Sequence, residues 1–203
     1  MKEKMHFTSS PSYWSNRYKG SEAPWDLEYI SRPLKEYFDQ LQDKNLKILV
    51  PGAGPGHEVS YLYSRGFQKV YFMDFSDLAC RLFEQNNPDF PKKNILSEDF
   101  FHHRGKYDLI VEQTFFCAFE PSEAMRTKYA DQMYNLLKPG GKLVGLWWSF
   151  PLDANQEDPP YGGSYKEYKI YFSEKFATLI LEACYNSEPD RMGKELFGIF
   201  QAR

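Results

Sequence analysis

One short segment constrains the fold more than any other: the glycine-rich run Val50-Pro51-Gly52-Ala53-Gly54-Pro55-Gly56-His57-Glu58. It follows an aliphatic run, Leu46–Val50, that is typical of a buried strand. It precedes a helical stretch, Glu58–Arg65, with Gly66 where a left-handed C-cap residue is expected. In doubly wound α/β sheets, ligands bind at the carboxyl ends of the strands, because glycines admit them closely and a helix N-terminus offers free N–H groups. The run therefore predicts a nucleotide-like cofactor at the end of the first strand.

The remainder of the chain alternates short apolar runs with longer helical stretches, which is typical of a parallel sheet covered on both faces. Further strands are predicted over Val70–Met73, which ends at Asp74, and over Tyr107–Val111 and Lys142–Trp148. Helices are predicted over Ser76–Gln85, with Ser76 as N-cap, and over Ser122–Leu137, which Pro139-Gly140-Gly141 ends. Asp153–Gly163 is predicted to be a loop, and Phe176–Tyr185 and Glu195–Gln201 to be closing strands, although the first also fits a helix. The fold class is α/β.

Size and charge narrow the kind of protein. The chain has 203 residues and no internal repeat, so we predict one domain over 1–203 with an N-terminal extension over 1–40. The net charge is −3 without a basic stripe, which disfavours nucleic acid as a partner. No apolar run is long enough for a membrane span, and Cys80, Cys117 and Cys184 lack the spacing of a disulfide framework or a thiolate metal site. We expect a cytoplasmic, monomeric protein that acts on a small molecule without a metal.

A carboxylate supports the cofactor site. Asp74 lies 18 residues after Gly56, at the end of the second predicted strand, where a carboxylate accepts hydrogen bonds from ribose hydroxyls. An ordinary tight turn explains the glycines alone, but the turn, Asp74 and the strand–helix context together favour cofactor binding. The dinucleotide fingerprint is G-x-G-x-x-G, whereas here the third glycine comes one residue early and Pro55 removes an N–H donor. S-adenosylmethionine is therefore favoured over NAD, and an NAD-dependent oxidoreductase is the alternative.

Other segments accompany the glycine-rich run along nearly the whole chain: Trp14, Tyr18 and Pro24-Trp25-Asp26, Glu98-Asp99-Phe100, Thr114-Phe115-Phe116-Cys117-Ala118, Leu137-Lys138-Pro139-Gly140-Gly141 and Pro159-Pro160-Tyr161. Together they resemble the thiopurine S-methyltransferase family, which includes plant-type halide and thiocyanate methyltransferases. Pro51, in place of the acid that most class I methyltransferases carry before the first glycine, supports this narrower assignment. The resemblance implies a Rossmann-like sheet of seven strands with one antiparallel strand near an edge. It also implies methyl transfer from S-adenosylmethionine, with S-adenosylhomocysteine as product.

The resemblance assigns residues to the cofactor. It implies that Gly52 approaches the amino-acid end of the cofactor within a turn that includes Gly54 and Gly56, that Asp74 holds the ribose, that Asp99 and Phe100 border the adenine, and that Trp14, Tyr18 and Trp25 form a lid. Tyr18 stands where plant-type members often have Trp, and Gln113 stands where they have Tyr beside the cofactor. A non-catalytic module that binds S-adenosylmethionine or S-adenosylhomocysteine is therefore a second alternative.

The methyl acceptor is expected to be small, soft and already anionic, such as a thiolate, a thiopurine, thiocyanate or a halide. Such a nucleophile needs positioning in a water-excluding site more than it needs a general base. Glu112 is the best candidate for a base, and Tyr161 is a candidate hydrogen-bond donor to the acceptor. Phe115 and Phe116 are expected to line the acceptor pocket.

Three other reactive-looking groups are given structural interpretations. His57 is expected to stabilise the entry into its helix rather than to act in catalysis. Cys117 lies in an apolar run and is expected to form part of a wall. The run His102-His103-Arg104 is interpreted as a solvated turn, because no carboxylate or cysteine completes a metal-binding set.

Overall fold

The computed structural model describes residues 10–19, 26–153 and 156–203. Its helices are α1 Pro11–Lys19, α2 Arg32–Asp39, α3 His57–Ser64, α4 Asp77–Asn86, α5 Glu123–Leu136 and α6 Tyr165–Ser173. Its strands are β1 Ile48–Pro51, β2 Val70–Asp74, β3 Ile95–Ser97, β4 Tyr107–Gln113, β5 Leu137–Trp148, β6 Phe176–Ala183 and β7 Glu195–Ala202. Among the described residues, no helix combines the length and the apolar character that crossing a membrane requires.

The seven strands form one sheet in the order β3-β2-β1-β4-β5-β7-β6. Strands β1 to β5 are parallel to one another, whereas β7 runs antiparallel to both β5 and β6. The chain leaves β1 toward β2 on one side and returns to β4 on the other, and the helices that follow β1 and β4 cover opposite faces of the sheet. Such a switch point opens a crevice at the carboxyl ends of the strands. The predicted α/β class, seven strands and single antiparallel strand near an edge are confirmed.

Local sequence explains most element boundaries. The Ser76 hydroxyl oxygen accepts a hydrogen bond from the Ala79 N–H, and Ser122 does the same for Met125, so both serines act as N-caps as predicted. Gly66 has a φ of +91°, as a left-handed residue after α3 requires. The helix over α5 ends at Leu136 because Leu137 already pairs with Tyr107 in the sheet.

Three elements differ from the sequence prediction. Strand β5 begins at Leu137, so Pro139-Gly140-Gly141 lies inside a strand and does not end the preceding helix. Strand β3 was not predicted, because three residues at a sheet edge carry too little pattern to be recognised. Helix α6 was also not predicted, although Ser164 and Glu167 form a capping pair in which the Ser164 oxygen accepts from the Glu167 N–H. The ambiguous segment Phe176–Tyr185 begins with a strand, β6, that pairs with β7.

The core consists of two apolar layers, one on each face of the sheet. On one face, Phe172 of α6 packs against Phe176 and Phe200, with ring centroids 5.6 and 4.5 Å apart. On the other face, Phe83 of α4 stacks on Phe72 of β2 at 4.3 Å. Much of the unusual aromatic content, 17 Phe and 15 Tyr, therefore fills these layers.

Candidate active site

The glycine-rich turn after β1 and the loop after β4 meet at the switch point. Gly52 and Gly54 have φ values of +60° and +53°. A Cβ atom on Gly52 would lie 2.0 Å from the Phe115 ring, and one on Gly54 would lie 3.0 Å from the Tyr18 hydroxyl. Only glycine satisfies both the backbone conformation and these close approaches. These two glycines thus allow the turn to approach Phe115 and helix α1 closely.

Gly56, the third glycine of the run, contacts the core and not the loop after β4. Its φ is +78°, and a Cβ there would lie 2.3 Å from Phe83, so this glycine allows α3 to pack against the core. The next residue, His57, is tied to the N-terminal segment, because its Nε2 lies 2.8 Å from an Asp26 carboxylate oxygen. That hydrogen bond raises the pKa of His57 above its ordinary value. The geometry matches the structural interpretation of His57.

Asp74 lies at the carboxyl end of β2, beside the glycine-rich turn. One carboxylate oxygen accepts from the Gly54 N–H at 3.0 Å and the other accepts from the Ser76 N–H at 2.9 Å. The side chain is buried, and burial raises its pKa to about 6. These bonds leave lone pairs on both oxygens, so the carboxylate retains capacity to accept hydroxyl donors.

Helix α1 lies across this edge of the sheet. The Ser15 hydroxyl is 2.8 Å from that of Ser76, so the helix touches the end of α4. At its other side, the Tyr13 hydroxyl donates to Asp158 in the loop after β5 at 2.9 Å. Trp14 is half-buried with its ring edge-on to Tyr13. Trp25, also predicted to belong to the lid, lies outside the described residues.

The turn after β3 contributes the predicted adenine border. Asp99 is half-buried, and its carboxylate accepts from the Phe101 N–H at 2.8 Å and approaches the exposed His102 ring at 3.0 Å. Phe100 is buried, with its ring 5.2 Å from that of Phe115. Phe100 therefore supports a wall of the site from behind, whereas Asp99 is open to the crevice edge.

Two neighbouring side chains at the end of β4 have contrasting surroundings. The Gln113 amide oxygen is buried and has no hydrogen-bond partner among the described residues. The Glu112 carboxylate is 1% exposed and fully engaged. It accepts from the N–H groups of Phe115 and Phe116 at 2.9 and 3.0 Å, and from the Tyr129 hydroxyl. The carboxylate predicted to act as a base is therefore hydrogen-bonded to three donors of the protein itself.

An arginine on α5 faces the same region. Arg126 is 3% exposed, with its guanidinium carbon 4.3 Å from the centroid of the Phe116 ring. Its guanidinium donates a hydrogen bond to the Gly162 carbonyl at 3.0 Å. No carboxylate among the described residues forms an ion pair with it. A buried cation without a counter-ion favours an anionic ligand.

A second buried arginine approaches from the turn before β7. Arg191 lies 3.5 Å from a Glu195 oxygen, and its guanidinium carbon is 5.3 Å from the centroid of a Trp148 ring. The Trp148 indole nitrogen is buried and meets no partner at hydrogen-bond distance among the described residues, but it lies near enough to the Cys117 thiol to favour the charged form of that thiol. Burial raises the pKa of Cys117 to about 12, while Trp148, Arg126 and Arg191 act in the opposite direction. The Cys117 thiol is therefore neutral.

Tyr161 lies in the loop after β5 and is buried. Its backbone N–H donates to the Cys117 carbonyl at 2.8 Å, which ties this loop to the loop after β4. Its hydroxyl donates to the Glu157 carbonyl at 2.8 Å. The donor that the sequence analysis assigns to the acceptor is therefore used inside the loop.

The interpretation of His102-His103-Arg104 as a solvated turn is wrong for its middle residue. His102 and Arg104 are exposed, but His103 is buried between Glu98 at 3.0 Å and the Tyr107 hydroxyl at 2.8 Å. The turn that follows Asp99, closed by the His102 and His103 N–H groups on the Asp99 carbonyl, directs this ring inward, where two polar partners satisfy both nitrogens. Within the described part of the chain, no group of three His, Cys, Asp or Glu side chains is arranged to hold a metal ion.

Sequence reasoning missed Arg126 and Arg191. A signal exists for the first: Arg126 occurs three, seven and ten residues before Tyr129, Met133 and Leu136, so it shares their buried helical face. An arginine in an apolar stripe marks a buried cation. Arg191 lies in a short turn without periodicity, and its burial follows only from the tertiary fold.

The residues at this edge fit S-adenosylmethionine. The turn at Gly52 and Gly54 leaves no room for a Cβ, Asp74 offers a carboxylate to ribose hydroxyls, and the unpaired Gln113 oxygen offers a buried acceptor to an N–H donor. Aromatic rings around the turn suit a sulfonium cation.

Solved structures share this architecture. The 1,6-didemethyltoxoflavin-N1-methyltransferase of Burkholderia thailandensis, solved with bound S-adenosylhomocysteine, aligns with a TM-score of 0.78 at 15% identity, covering 95% of this chain and 86% of that one. The N-methyltransferase NodS of Bradyrhizobium japonicum, also solved with S-adenosylhomocysteine, aligns with a TM-score of 0.65 at 17% identity, covering 97% and 98% of the two chains. At these identities the likeness concerns the fold.

Sequence relatives identify the family. A probable thiol methyltransferase 2 of Arabidopsis thaliana is 35% identical over 79% of this chain and 71% of its own length. Thiocyanate methyltransferase 1 of the same plant is 30% identical over 96% of this chain and 86% of its own. A thiopurine S-methyltransferase of Vibrio cholerae is 24% identical over 80% of each chain. The family model for thiopurine S-methyltransferase matches residues 9–201. The chain therefore belongs to the thiopurine S-methyltransferase family and is an S-adenosylmethionine-dependent methyltransferase.

Proposed function

We propose that this enzyme methylates a small, soft, anionic nucleophile: a thiolate, a thiopurine, thiocyanate, hydrosulfide or a halide. The observation that carries the proposal is Arg126, a buried guanidinium over the Phe116 ring that has no carboxylate partner among the described residues. A cation in an apolar surrounding stabilises an anion far more than it would in water. Neutral hydroxyl or amine acceptors do not benefit in this way.

The side chains divide the remaining work. When bound, S-adenosylmethionine supplies an electrophilic methyl group. Phe115 and Phe116 exclude water and limit the positions that an acceptor can take. The guanidinium of Arg126 and the indole N–H of Trp148 are the donors assigned to the acceptor anion, whose charge makes a general base unnecessary.

The cofactor half of the proposal assigns Gly52, Gly54, Asp74 and Gln113 to S-adenosylmethionine. The lid is assigned to the N-terminal extension, for which the contacts of α1 with Ser76 and with the loop after β5 provide support. Helix α2 lies within the predicted extension 1–40 but packs Leu34 and Phe38 into the core, so it is not part of the proposed lid. The names of the plant relatives, thiol and thiocyanate methyltransferase, support a sulfur acceptor. A monomeric state, a cytoplasmic location and independence of metals belong to the same proposal.

The test is a turnover screen of the purified protein with S-adenosylmethionine, read as S-adenosylhomocysteine formed. The acceptors are iodide, thiocyanate, hydrosulfide, an aromatic thiol, a thiopurine and a catechol. We expect turnover with one or more of the soft anions and none with the catechol. Activity confined to the catechol contradicts the proposal. Tight binding of S-adenosylhomocysteine without turnover of any acceptor supports the non-catalytic alternative.

A matched pair of variants tests the arginine argument. Arg126→Met removes the buried charge and keeps the side-chain length, whereas Arg81→Met makes the same change on the exposed surface of α4. Losing a charge-assisted hydrogen bond lowers kcat/KM for the anion by roughly 10- to 100-fold. S-adenosylhomocysteine affinity, measured by calorimetry, should stay unchanged in both. Equal kinetics in the two variants would remove Arg126 from the acceptor site.

A further inference from the structure

The carboxylate of Glu112 has every hydrogen bond directed to protein rather than to open space. One oxygen accepts from both the Phe115 and the Phe116 N–H, and the other accepts from the Tyr129 hydroxyl. Glu112 also lines a small cavity together with Phe116, Cys117 and Trp148. Its three hydrogen bonds to protein already occupy three of the four acceptor positions of the carboxylate.

The two N–H groups held by Glu112 belong to the two aromatic walls of the site. The Phe115 ring lies against Gly52 in the cofactor turn and edge-on to Phe100 at 5.2 Å. The Phe116 ring lies beneath the Arg126 guanidinium at 4.3 Å. One carboxylate thereby fixes a wall next to the cofactor turn and a wall next to the buried cation.

The backbone at this point needs such an anchor. Thr114, directly before Phe115, has a φ of +54°, a left-handed conformation that a β-branched residue rarely adopts. Residues held in this region persist only where the surroundings over-determine them. The hydrogen bonds from the Phe115 and Phe116 N–H groups to Glu112, together with the packing of the two rings, hold this conformation.

We propose that Glu112 is a positioning residue that places Phe115 and Phe116, and through them couples the cofactor turn to the acceptor site. Tyr129 of α5 assists it by holding the second carboxylate oxygen. This inference rests on the proposed function for the acceptor half of the site. It replaces the general-base role, because three protein donors already hold the lone pairs that a base would use.

The test compares Glu112→Gln with Glu112→Ala. The amide of Gln keeps an oxygen for both N–H groups and offers an N–H to the Tyr129 oxygen, so Glu112→Gln should retain kcat/KM within about threefold. Ala leaves two buried N–H groups unpaired, so we expect roughly 10- to 100-fold weaker S-adenosylhomocysteine binding and a raised acceptor KM. A general base predicts the opposite pattern: both variants inactive, with cofactor affinity intact. That pattern overturns the inference.

Two further variants keep the test decisive. Tyr129→Phe removes only one of the three hydrogen bonds to Glu112. If Glu112→Ala does not fold, we expect Tyr129→Phe to raise the dissociation constant of S-adenosylhomocysteine and the acceptor KM by a smaller factor. If both constants stay at their wild-type values, the inference is overturned. Asp108→Asn is the matched control, because Asp108 also accepts a backbone N–H, from Lys47 at 2.8 Å, but at the opposite end of β4. It should lower stability without changing either constant.

Binding of S-adenosylhomocysteine is measured without an acceptor. If wild-type protein binds it but methylates none of the soft anions, the proposed function fails, while the effect of Glu112→Ala on that binding still decides the inference for the cofactor half. If Glu112→Ala binds the product as wild-type protein does, the inference fails whatever the acceptor is.

Discussion

Substitution of Gly52 by Ala provides the sharpest test of the cofactor turn. The residue has a φ of +60°, and a Cβ there would lie 2.0 Å from the Phe115 ring. Left-handed conformation costs an L-residue about 1–2 kcal/mol. Displacing a packed ring costs about 1–3 kcal/mol more. We expect Gly52→Ala to lower the free energy of unfolding by roughly 2–5 kcal/mol.

Gly66→Ala separates the two contributions. Gly66 also has a positive φ, +91°, but nothing lies within 4 Å of the position of its Cβ, so only the conformational cost applies. Urea unfolding of both variants gives the free energies, and the excess in Gly52→Ala measures the clash with Phe115. Adding Phe115→Ala to Gly52→Ala should remove that excess. If Gly52→Ala and Gly66→Ala destabilise equally, the reasoning about a close approach is refuted.

Four more predictions concern Asp74, His57 and helix α1. Burial raises the pKa of Asp74 to about 6, and ribose donors favour its charged form. The affinity for S-adenosylhomocysteine should therefore rise about tenfold per pH unit below pH 6 and then level off. Calorimetry across pH should show no such rise in Asp74→Asn. In the cofactor-free protein the same raised pKa means that the Asp74 contribution to stability is lost as pH rises through about 6, which urea unfolding of wild type and Asp74→Asn checks. The Asp26 carboxylate raises the pKa of His57, so Asp26→Asn should lower the pKa that NMR titration reports for the His57 ring. Asp158→Ala removes the bond from Tyr13 and should raise KM for the cofactor by about two- to fivefold, since exposed pairs contribute about 1 kcal/mol or less; an unchanged KM would contradict a closing role for α1.

The cofactor half could be predicted from the sequence because its signals are local. A strand, a turn with three glycines and a helix follow one another within Leu46–Arg65, and all three glycines have positive φ. Asp74 follows from the next strand by the same logic. Gly56 shows the limit of this reasoning: its spacing matched a cofactor turn, but its close neighbours are Phe83 and Phe72 in the core.

The acceptor half could not be predicted because its parts come from distant segments. Arg126 is supplied by α5, Arg191 by the turn before β7 and Trp148 by the end of β5. Their meeting depends on the antiparallel pairing that brings Trp148 opposite Glu195. Glu112 was recognised as a carboxylate at the right strand end, but its partners Tyr129, Phe115 and Phe116 decide what it can do, and only the folded chain shows them.

This division has a physical consequence for the evolution of specificity. The cofactor half is held by backbone conformation and by glycines, where nearly every substitution is strained. The acceptor half is built from side chains of elements that can vary independently of the turn. Changes at Arg126, Arg191 or Trp148 should therefore alter which acceptor is methylated while cofactor affinity persists. Changes at Glu112 should affect both halves, because its hydrogen bonds hold Phe115 beside the cofactor turn and Phe116 beside Arg126.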